Sequence, residues 1–131
     1  MSICTDVEVD SCPKIAEKLN AAKRDAVVIA VGKVGVEYVG RASSYAYPDY
    51  RLLIVKPDGT LLIHESTRVE PLNWQPPKSV PYFECIGDRL RLRSVRTSPR
   101  EEVVVEFADI IFIKLCSLTS TKLSVVGREA D

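Results

Sequence analysis

The strongest constraint on the fold of this chain is a hairpin in its middle. Two apolar runs, residues 51–56 and 60–64, flank the turn sequence Pro57-Asp58-Gly59. Because Asp-Gly supplies the positive φ that tight β-turns require, the two runs are predicted to be adjacent antiparallel strands. Both arms are apolar on both faces, which predicts that the hairpin lies centrally in its sheet and is covered.

Short extended segments precede and follow this hairpin. A polar loop is predicted at residues 43–49, and a change of side-chain parity at Val95-Arg96 predicts a bulge or a bend. One amphipathic helix is predicted over residues 13–23, with Ser11 as its cap. Further strands are predicted at residues 26–31, 34–41, 82–85, 89–93, 101–107 and 109–115. The fold class is therefore mostly β, a half-closed β-barrel or sandwich with one N-terminal amphipathic helix.

Length and charge narrow the class of protein. The 131 residues suit one domain, predicted over residues 1–116, followed by a linker or disordered tail at 117–131. The net charge is zero, yet residues 41–100 hold eight Arg and two Lys against six acids, an excess of four positive charges. Such a segment can bind phosphates through one face, although an ordinary mixed-charge surface is the alternative. Neither a membrane-length apolar run nor a signal peptide is recognisable, which predicts a cytoplasmic protein.

The four cysteines predict no metal site. Cys4, Cys12, Cys85 and Cys116 contain no C-x-x-C pair, and His64 is the chain's single histidine. A zinc site would therefore need an unusual ligand set. Buried free thiols are predicted, and a Cys4–Cys12 disulfide is the alternative in a compartment that permits it.

No catalytic residue is predicted in this chain. His64 lies in the apolar hairpin, and Glu101 and Glu102 alternate to opposite faces of a strand, so they do not form a carboxylate pair. Restriction-type metal nucleases commonly place an acid two residues before a lysine, and no lysine here has Asp or Glu at that position.

The only tryptophan lies in a stiff segment that suits base recognition. Pro71 and Pro76 bracket Asn73-Trp74-Gln75, and proline restricts both its own φ and the residue before it. An indole between two amides can stack on an unstacked nucleic-acid base while the amides read its edge. The alternative is a buried Trp74 that fastens the loop to the barrel.

Arginines supply further candidates for DNA binding. Strict alternation with leucines places Arg89, Arg91 and Arg93 on one strand face, where they can follow a phosphate backbone. A solvated sheet face is the alternative. Gly40-Arg41, at the end of a strand, allows close approach of one guanidinium to a backbone.

Several segments together resemble one family. Residues 40–42, 55–59, 62–64, 70–77 and 98–101 resemble, in order and spacing, the N-terminal domain of the NucS/EndoMS family, the archaeal and actinobacterial mismatch-specific endonucleases. The resemblance extends over about residues 25–127. The chain departs from the family at Val69, where members often carry Arg, and at Lys78, where they usually carry Gly.

The resemblance implies a DNA-binding, homodimerising half-barrel in which the residues matching Trp74, Asn73 and Arg41 contact a flipped base and the surrounding DNA. It also implies that cleavage belongs to a nuclease domain, in cis or in trans, which uses Mg or Mn, and that a sliding clamp binds a further C-terminal tail. We therefore expect a domain that is catalytically inert by itself. The alternative is a stand-alone structural dimerisation subunit, or one that recruits a separately encoded nuclease. The candidate DNA-binding residues are Arg41, Ser43, Arg68, Asn73, Trp74, Gln75, Lys78, Arg89, Arg91 and Arg93.

Overall fold

A computed structural model describes residues 2–124 of the chain. These residues form one helix and eight strands. The bounds are β1 Cys4–Asp6, α1 Cys12–Ala22, β2 Val27–Val39, β3 Ser43–Val55, β4 Leu61–His64, β5 Asn73–Gln75, β6 Val80–Ile86, β7 Arg89–Thr97 and β8 Arg100–Cys116.

The strands form one antiparallel sheet in the order β5-β4-β3-β2-β8-β7-β6, and β1 pairs with β8. The sheet curls into a half-barrel around one apolar core, which confirms the predicted fold class. Along β7 and β8, side chains alternate between this core and the outer face, so Leu92 and Val105 are fully buried while their neighbours are not. The core is built from such alternating positions on every long strand.

Helix α1 packs against the core beside β6 and β7. Ile15 and Leu19 are buried on its inner face, as the predicted amphipathic pattern requires. The side-chain amide of Asn20 donates to the carbonyl of Phe83 at 2.7 Å and accepts from its N–H at 2.9 Å, which fixes the helix to β6. Ser11 is the N-cap residue, but its side chain makes no capping hydrogen bond.

The predicted hairpin is confirmed as the β3–β4 unit. Lys56 N–H donates to the carbonyl of Thr60 at 2.9 Å, and Gly59 has a φ of +95°, a conformation that favours glycine. The polar loop predicted at residues 43–49 is wrong, because this segment is the first half of β3 and pairs with β2 on both sides of an irregularity at Tyr47-Pro48. Tyrosine has a high β-propensity, and it outweighs the polar composition here.

Of the bulge or bend predicted at Val95-Arg96, the bulge is wrong. Pairing of β7 with β8 runs without a register shift from Arg91 to Thr97. The irregularities lie instead in β2, whose register against β3 shifts between Val34 and Val36.

A buried arginine stabilises that irregular part of the sheet. Arg51 is only 9 % exposed, and its guanidinium donates to the carbonyls of Val34 at 2.6 Å and Tyr47 at 2.8 Å. Its Nε lies 3.3 Å from Oε2 of Glu65. These bonds satisfy carbonyl groups that the shifted β2–β3 ladder leaves free.

All four cysteines are paired, so the predicted free thiols and the alternative Cys4–Cys12 pairing are both wrong. The disulfides are Cys4–Cys116 and Cys12–Cys85. Cys4 and Cys116 are register partners of β1 and β8, and Cys12 begins the helix that packs on β6. Sequence spacing could not show these long-range neighbours.

No helix among residues 2–124 is long and apolar enough to cross a membrane. Of the predicted tail, residues 117–124 carry no helix or strand, and residues 125–131 lie outside the described part of the chain.

Candidate nucleic-acid interface

The Trp74 segment is a short strand, β5, on the edge of the sheet. It pairs with β4 so that Trp74 lies opposite Leu62, and Leu72 N–H donates to the carbonyl of Ile63 at 2.8 Å. The segment is entered and left through residues in the left-handed region, Arg68 with a φ of +79° and Lys78 with a φ of +73°. Residues with positive φ thus lie on both sides of the tryptophan strand.

The indole of Trp74 is presented to solvent. Trp74 is 55 % exposed, which argues against the alternative of a core tryptophan. Asn73 is half-buried, and its Oδ1 accepts from the N–H of Trp74 at 3.0 Å. Its amide nitrogen makes no hydrogen bond within the described residues, so the Asn73 side chain keeps donor capacity beside the indole.

Gln75 occupies a different place from the one predicted. It is fully buried, and its Oε1 accepts from the hydroxyl of Ser94, which is also fully buried. Because side chains alternate along a strand, Gln75 points into the barrel when Trp74 points out. The structure therefore does not place Gln75 where it could read a base edge; its amide instead joins β5 to β7.

Trp74 and Asn73 line an open pocket of about 540 Å³. The other wall is a hydrogen-bonded group that the sequence reasoning missed. Tyr38 Oη donates to Oε2 of Glu101 at 2.7 Å, and Arg96 Nη1 donates to Oε1 of the same carboxylate at 3.2 Å. The pocket thus combines an aromatic face, a carboxylate, a hydroxyl and a guanidinium.

The hydroxyl of Tyr38 is held in its neutral form. Its hydrogen bond to Glu101 is the main reason that the pKa of Tyr38 is raised, and burial and the negative charge of Glu101 act in the same direction. Gly40 makes this arrangement possible, since an added Cβ there would overlap the Tyr38 hydroxyl. The sequence signal for this arrangement was therefore Gly40 of the Gly40-Arg41 pair. This glycine, two residues after Tyr38, allows the tyrosine hydroxyl to lie close to the backbone.

The remaining candidates near the Trp74 segment lie around this pocket. Ser44 lines the pocket, and the predicted Ser43 is the residue before it in the chain. Arg41 precedes both serines, in the turn between β2 and β3. Arg68 lies in the loop that leads to Glu70, another lining residue. Neither Arg41 nor Arg68 forms an ion pair within residues 2–124, so both guanidinium groups are available to an anion.

The arginine ladder, formed by Arg89, Arg91 and Arg93, has the predicted alternation, but its positive charges are paired with carboxylates. Leu90 and Leu92 are buried, and the three arginines lie on the outer face of β7. Each arginine meets a carboxylate of a neighbouring strand: Arg91–Glu84 at 2.8 Å, Arg93–Glu102 at 2.9 Å and Arg89–Glu106 at 3.6 Å. Three glutamates therefore offset the positive charge that was expected to attract DNA phosphates. Alternation within one strand could not reveal these partners, because they lie on neighbouring strands.

Residues 2–124 contain no group of three or more His, Cys, Asp or Glu side chains arranged to hold a metal ion. Glu101 and Glu102 form separate ion pairs, with Arg96 and Arg93, on opposite faces of β8, as predicted.

Comparison with known proteins agrees with the sequence resemblance. The model of the endonuclease NucS N-terminal PH-like domain matches residues 23–122. Endonuclease NucS of Thermococcus kodakarensis is 33 % identical over 129 residues, which is 97 % of this chain and 51 % of that protein. Endonuclease NucS of Methanopyrus kandleri is 38 % identical over 115 residues, 87 % of this chain and 44 % of the relative.

Solved structures show the same fold. The EndoMS–dsDNA2 complex superposes with a TM-score of 0.86 at 31 % identity, covering 95 % of this chain and 52 % of that one. A repair endonuclease from Pyrococcus abyssi superposes with a TM-score of 0.78 at 30 % identity, covering 92 % and 52 %. The chain spans about half the length of the relatives it matches. Through its match to the family model over residues 23–122, it belongs to the endonuclease NucS N-terminal domain family.

Proposed function

We propose that this chain is the DNA-binding and dimerisation domain of an endonuclease that acts on mismatched, branched or single-stranded DNA, and that it is catalytically inert by itself. The observation that carries the proposal is the half-exposed indole of Trp74 on the wall of a pocket of about 540 Å³. Unstacked bases are commonly recognised by stacking on aromatic side chains and by hydrogen bonds to their edges. A relative of the same fold forms the EndoMS–dsDNA2 complex, which supports DNA as the ligand.

In this proposal Trp74 stacks on an extruded base, and the facing wall binds its edge. The carboxylate of Glu101 accepts hydrogen bonds from base N–H groups, while the amide of Asn73 and the guanidinium of Arg96 donate to base carbonyls and ring nitrogens. Arg41 and Arg68, which are free of ion pairs in the described residues, hold the adjacent phosphates.

The proposed assembly has three further parts. A second copy of the chain forms a homodimer, and a nuclease domain, in cis or in trans, supplies Mg- or Mn-dependent cleavage. A sliding clamp binds through a C-terminal tail of the full-length protein. The resemblance to the NucS/EndoMS family supports these parts of the proposal, and chain mass in solution by light scattering tests the dimer directly.

The DNA-binding proposal is tested by titrating labelled oligonucleotides with the purified chain and following fluorescence anisotropy. A mismatched duplex, a matched duplex and a single strand are compared for the unmodified chain and for Trp74→Ala. Losing one base stack should weaken binding of the mismatched duplex and the single strand by roughly 1–3 kcal/mol. Tyr47→Ala is the matched control, because Tyr47 is 80 % exposed and does not line the pocket.

Preferential binding of the mismatched duplex or the single strand, lost in Trp74→Ala and kept in Tyr47→Ala, supports the proposal. Equal binding of all three oligonucleotides, or equal effects of the two substitutions, contradicts base recognition by this domain.

A further inference from the structure

A second cleft, at the β3–β4 turn, combines positive charge with a defined shape. It has a volume of about 190 Å³ and lies between the end of α1, the turn and the segment that enters β6. Its charged lining residues are Lys23, Arg24, Lys56 and Asp58. Three cations against one carboxylate leave a net of two positive charges.

These cations differ from the arginine ladder in being free. Within residues 2–124, none of Lys23, Arg24 and Lys56 forms an ion pair with a carboxylate. The Nζ of Lys23 donates to the carbonyl of Pro81 and lies 5.4 Å from the ring centroid of Tyr82, so this cation is fixed on the cleft wall. An incoming anion meets prepositioned charge without breaking an existing ion pair.

The single acid of the cleft is engaged in the turn. Oδ1 of Asp58 accepts from the N–H of Thr60 at 2.9 Å, and this hydrogen bond is the main reason that the pKa of Asp58 is lowered. Its carboxylate is therefore ionised at neutral pH, and its charge is directed at the backbone of the turn. The positive charge of the two lysines and Arg24 dominates the rest of the cleft.

The cleft wall also contains a polar group with an unmet hydrogen bond. Ser79 is 5 % exposed, and its Oγ has no hydrogen-bond partner within the described residues. A buried hydroxyl without a partner carries a desolvation cost. Because this oxygen is itself buried, the cations of the cleft, and not this hydroxyl, are the groups that an anion reaches.

The cleft lies close to the tryptophan strand. Trp74 is the register partner of Leu62 in β4, and Gly59 in the turn precedes Leu62 by three residues, so the two places lie at most about 10 Å apart along the strand direction at about 3.3 Å per residue. Lys78 connects the two places, since its N–H donates to the carbonyl of Asp58 at 2.7 Å. One strand of DNA carries a phosphate about every 3.4 Å of duplex axis, so the cleft is a few phosphates from a base at Trp74.

We propose that this cleft binds a backbone phosphate of the DNA strand whose base stacks on Trp74. The inference rests on the proposed DNA binding and adds to it a second contact, outside the base pocket. Lys56 and Arg24 are the phosphate ligands on the open side of the cleft. Lys23, bound to the carbonyl of Pro81, adds a fixed positive charge to the cleft wall. The contact fixes the register of the strand relative to the pocket, as phosphate contacts generally do.

The test measures how the affinity for a single-stranded oligonucleotide depends on salt. Each phosphate contact contributes a slope of about 0.7 to the logarithm of the binding constant against the logarithm of salt concentration. The doubly substituted chain R24Q/K56Q should lose about 0.7 of this slope. The charge-matched control is K18Q/K33Q, since both lysines are exposed, lie outside the cleft and form no ion pair within residues 2–124.

A loss of slope in R24Q/K56Q alone, with quenching of Trp74 fluorescence by DNA retained, supports the inference. Equal slopes in the two double variants overturn the cleft contact while leaving base stacking intact. An unquenched Trp74 in the unmodified chain counts instead against the proposed function. A last outcome combines two measurements. Inorganic phosphate raises the melting temperature of the unmodified chain above that in chloride at equal ionic strength, while the salt slope for DNA is the same in both double variants. The cleft then binds a free anion, and its assignment to DNA is overturned.

Discussion

The hydroxyl of Ser94 on β7 donates a hydrogen bond to the side-chain carbonyl of Gln75 on β5, and both side chains are fully buried. These strands are not neighbours in the sheet, whose order places four strands between them. The bond therefore closes the half-barrel across its interior and sets the position of the neighbouring Trp74.

Replacing Ser94 by alanine should destabilise the chain and loosen the tryptophan strand. The carbonyl of Gln75 would be left buried without its partner, at a cost of about 1–3 kcal/mol in the free energy of unfolding. Urea unfolding measures this loss, and Ser43→Ala, at an exposed serine, is the control. Equal stability of Ser94→Ala and the unmodified chain would show that the bond does not hold β5.

Glycine at position 78 should stabilise the chain. Lys78 has a φ of +73°, which costs a residue with a Cβ about 1–2 kcal/mol, whereas glycine adopts it readily. Part of the gain is offset by the greater freedom of glycine in the unfolded chain, so a net gain of about 0.5–1 kcal/mol is expected. Lys78→Ala removes the same charge without relieving the strain, so any gain in thermal stability should be confined to Lys78→Gly.

Neutralising Glu84 should strengthen non-specific DNA binding. Its carboxylate lies 2.8 Å from Nε of Arg91 and 3.6 Å from Nε of Arg93, so Glu84→Gln releases Arg91 and leaves Arg93 paired with Glu102 alone. Binding of a matched duplex at low salt should tighten and its salt dependence should steepen. Glu65→Gln, which faces the buried Arg51 rather than the ladder, is the control. An unchanged salt dependence would mean that the ladder does not face DNA.

The hydrogen bond from Tyr38 to Glu101 predicts a specific pH dependence. Because the folded-state pKa of Tyr38 is raised above its usual 10.0, the bond contributes stability that is fully present below pH 10 and is lost as pH rises through the folded-state value. Tyr38→Phe should therefore be less stable than the unmodified chain at neutral pH, and the difference should narrow above pH 10. A difference that is constant into the alkaline range would contradict this role of the bond.

Reduction of the disulfides should weaken the attachment of the N-terminal segment. Cys4–Cys116 and Cys12–Cys85 close loops with sequence separations of 112 and 73 residues, and a disulfide of this kind typically contributes about 2–4 kcal/mol. Thermal unfolding with and without a reductant measures the loss. The variant C12A/C85A should reproduce part of it, and a melting temperature that is insensitive to reductant would contradict the contribution.

The sequence predicted those parts of the fold that depend on local patterns. The β3–β4 hairpin followed from Asp58-Gly59, and the buried face of β7 followed from alternation around Leu90 and Leu92. Both are short-range signals, because turn geometry and strand periodicity are properties of neighbouring residues.

The rest required contacts between residues far apart in the chain. The pairing of Cys4 with Cys116, the ion pairs of the arginine ladder and the Tyr38–Glu101 bond all join separate strands, so no single segment carried their signal. Gln75 illustrates the same limit within the proposed site. Its amide was predicted to face a base, but strand pairing of β5 turns it into the core.

The most direct test of the central claim is the intrinsic fluorescence of the chain during titration with DNA. Trp74 is the only tryptophan, so the emission reports this one side chain. We expect a mismatched duplex or a single strand to quench the Trp74 emission in parallel with binding. A matched duplex should quench this emission much less. Binding without quenching, or equal quenching by all three, would contradict recognition of an extruded base by Trp74.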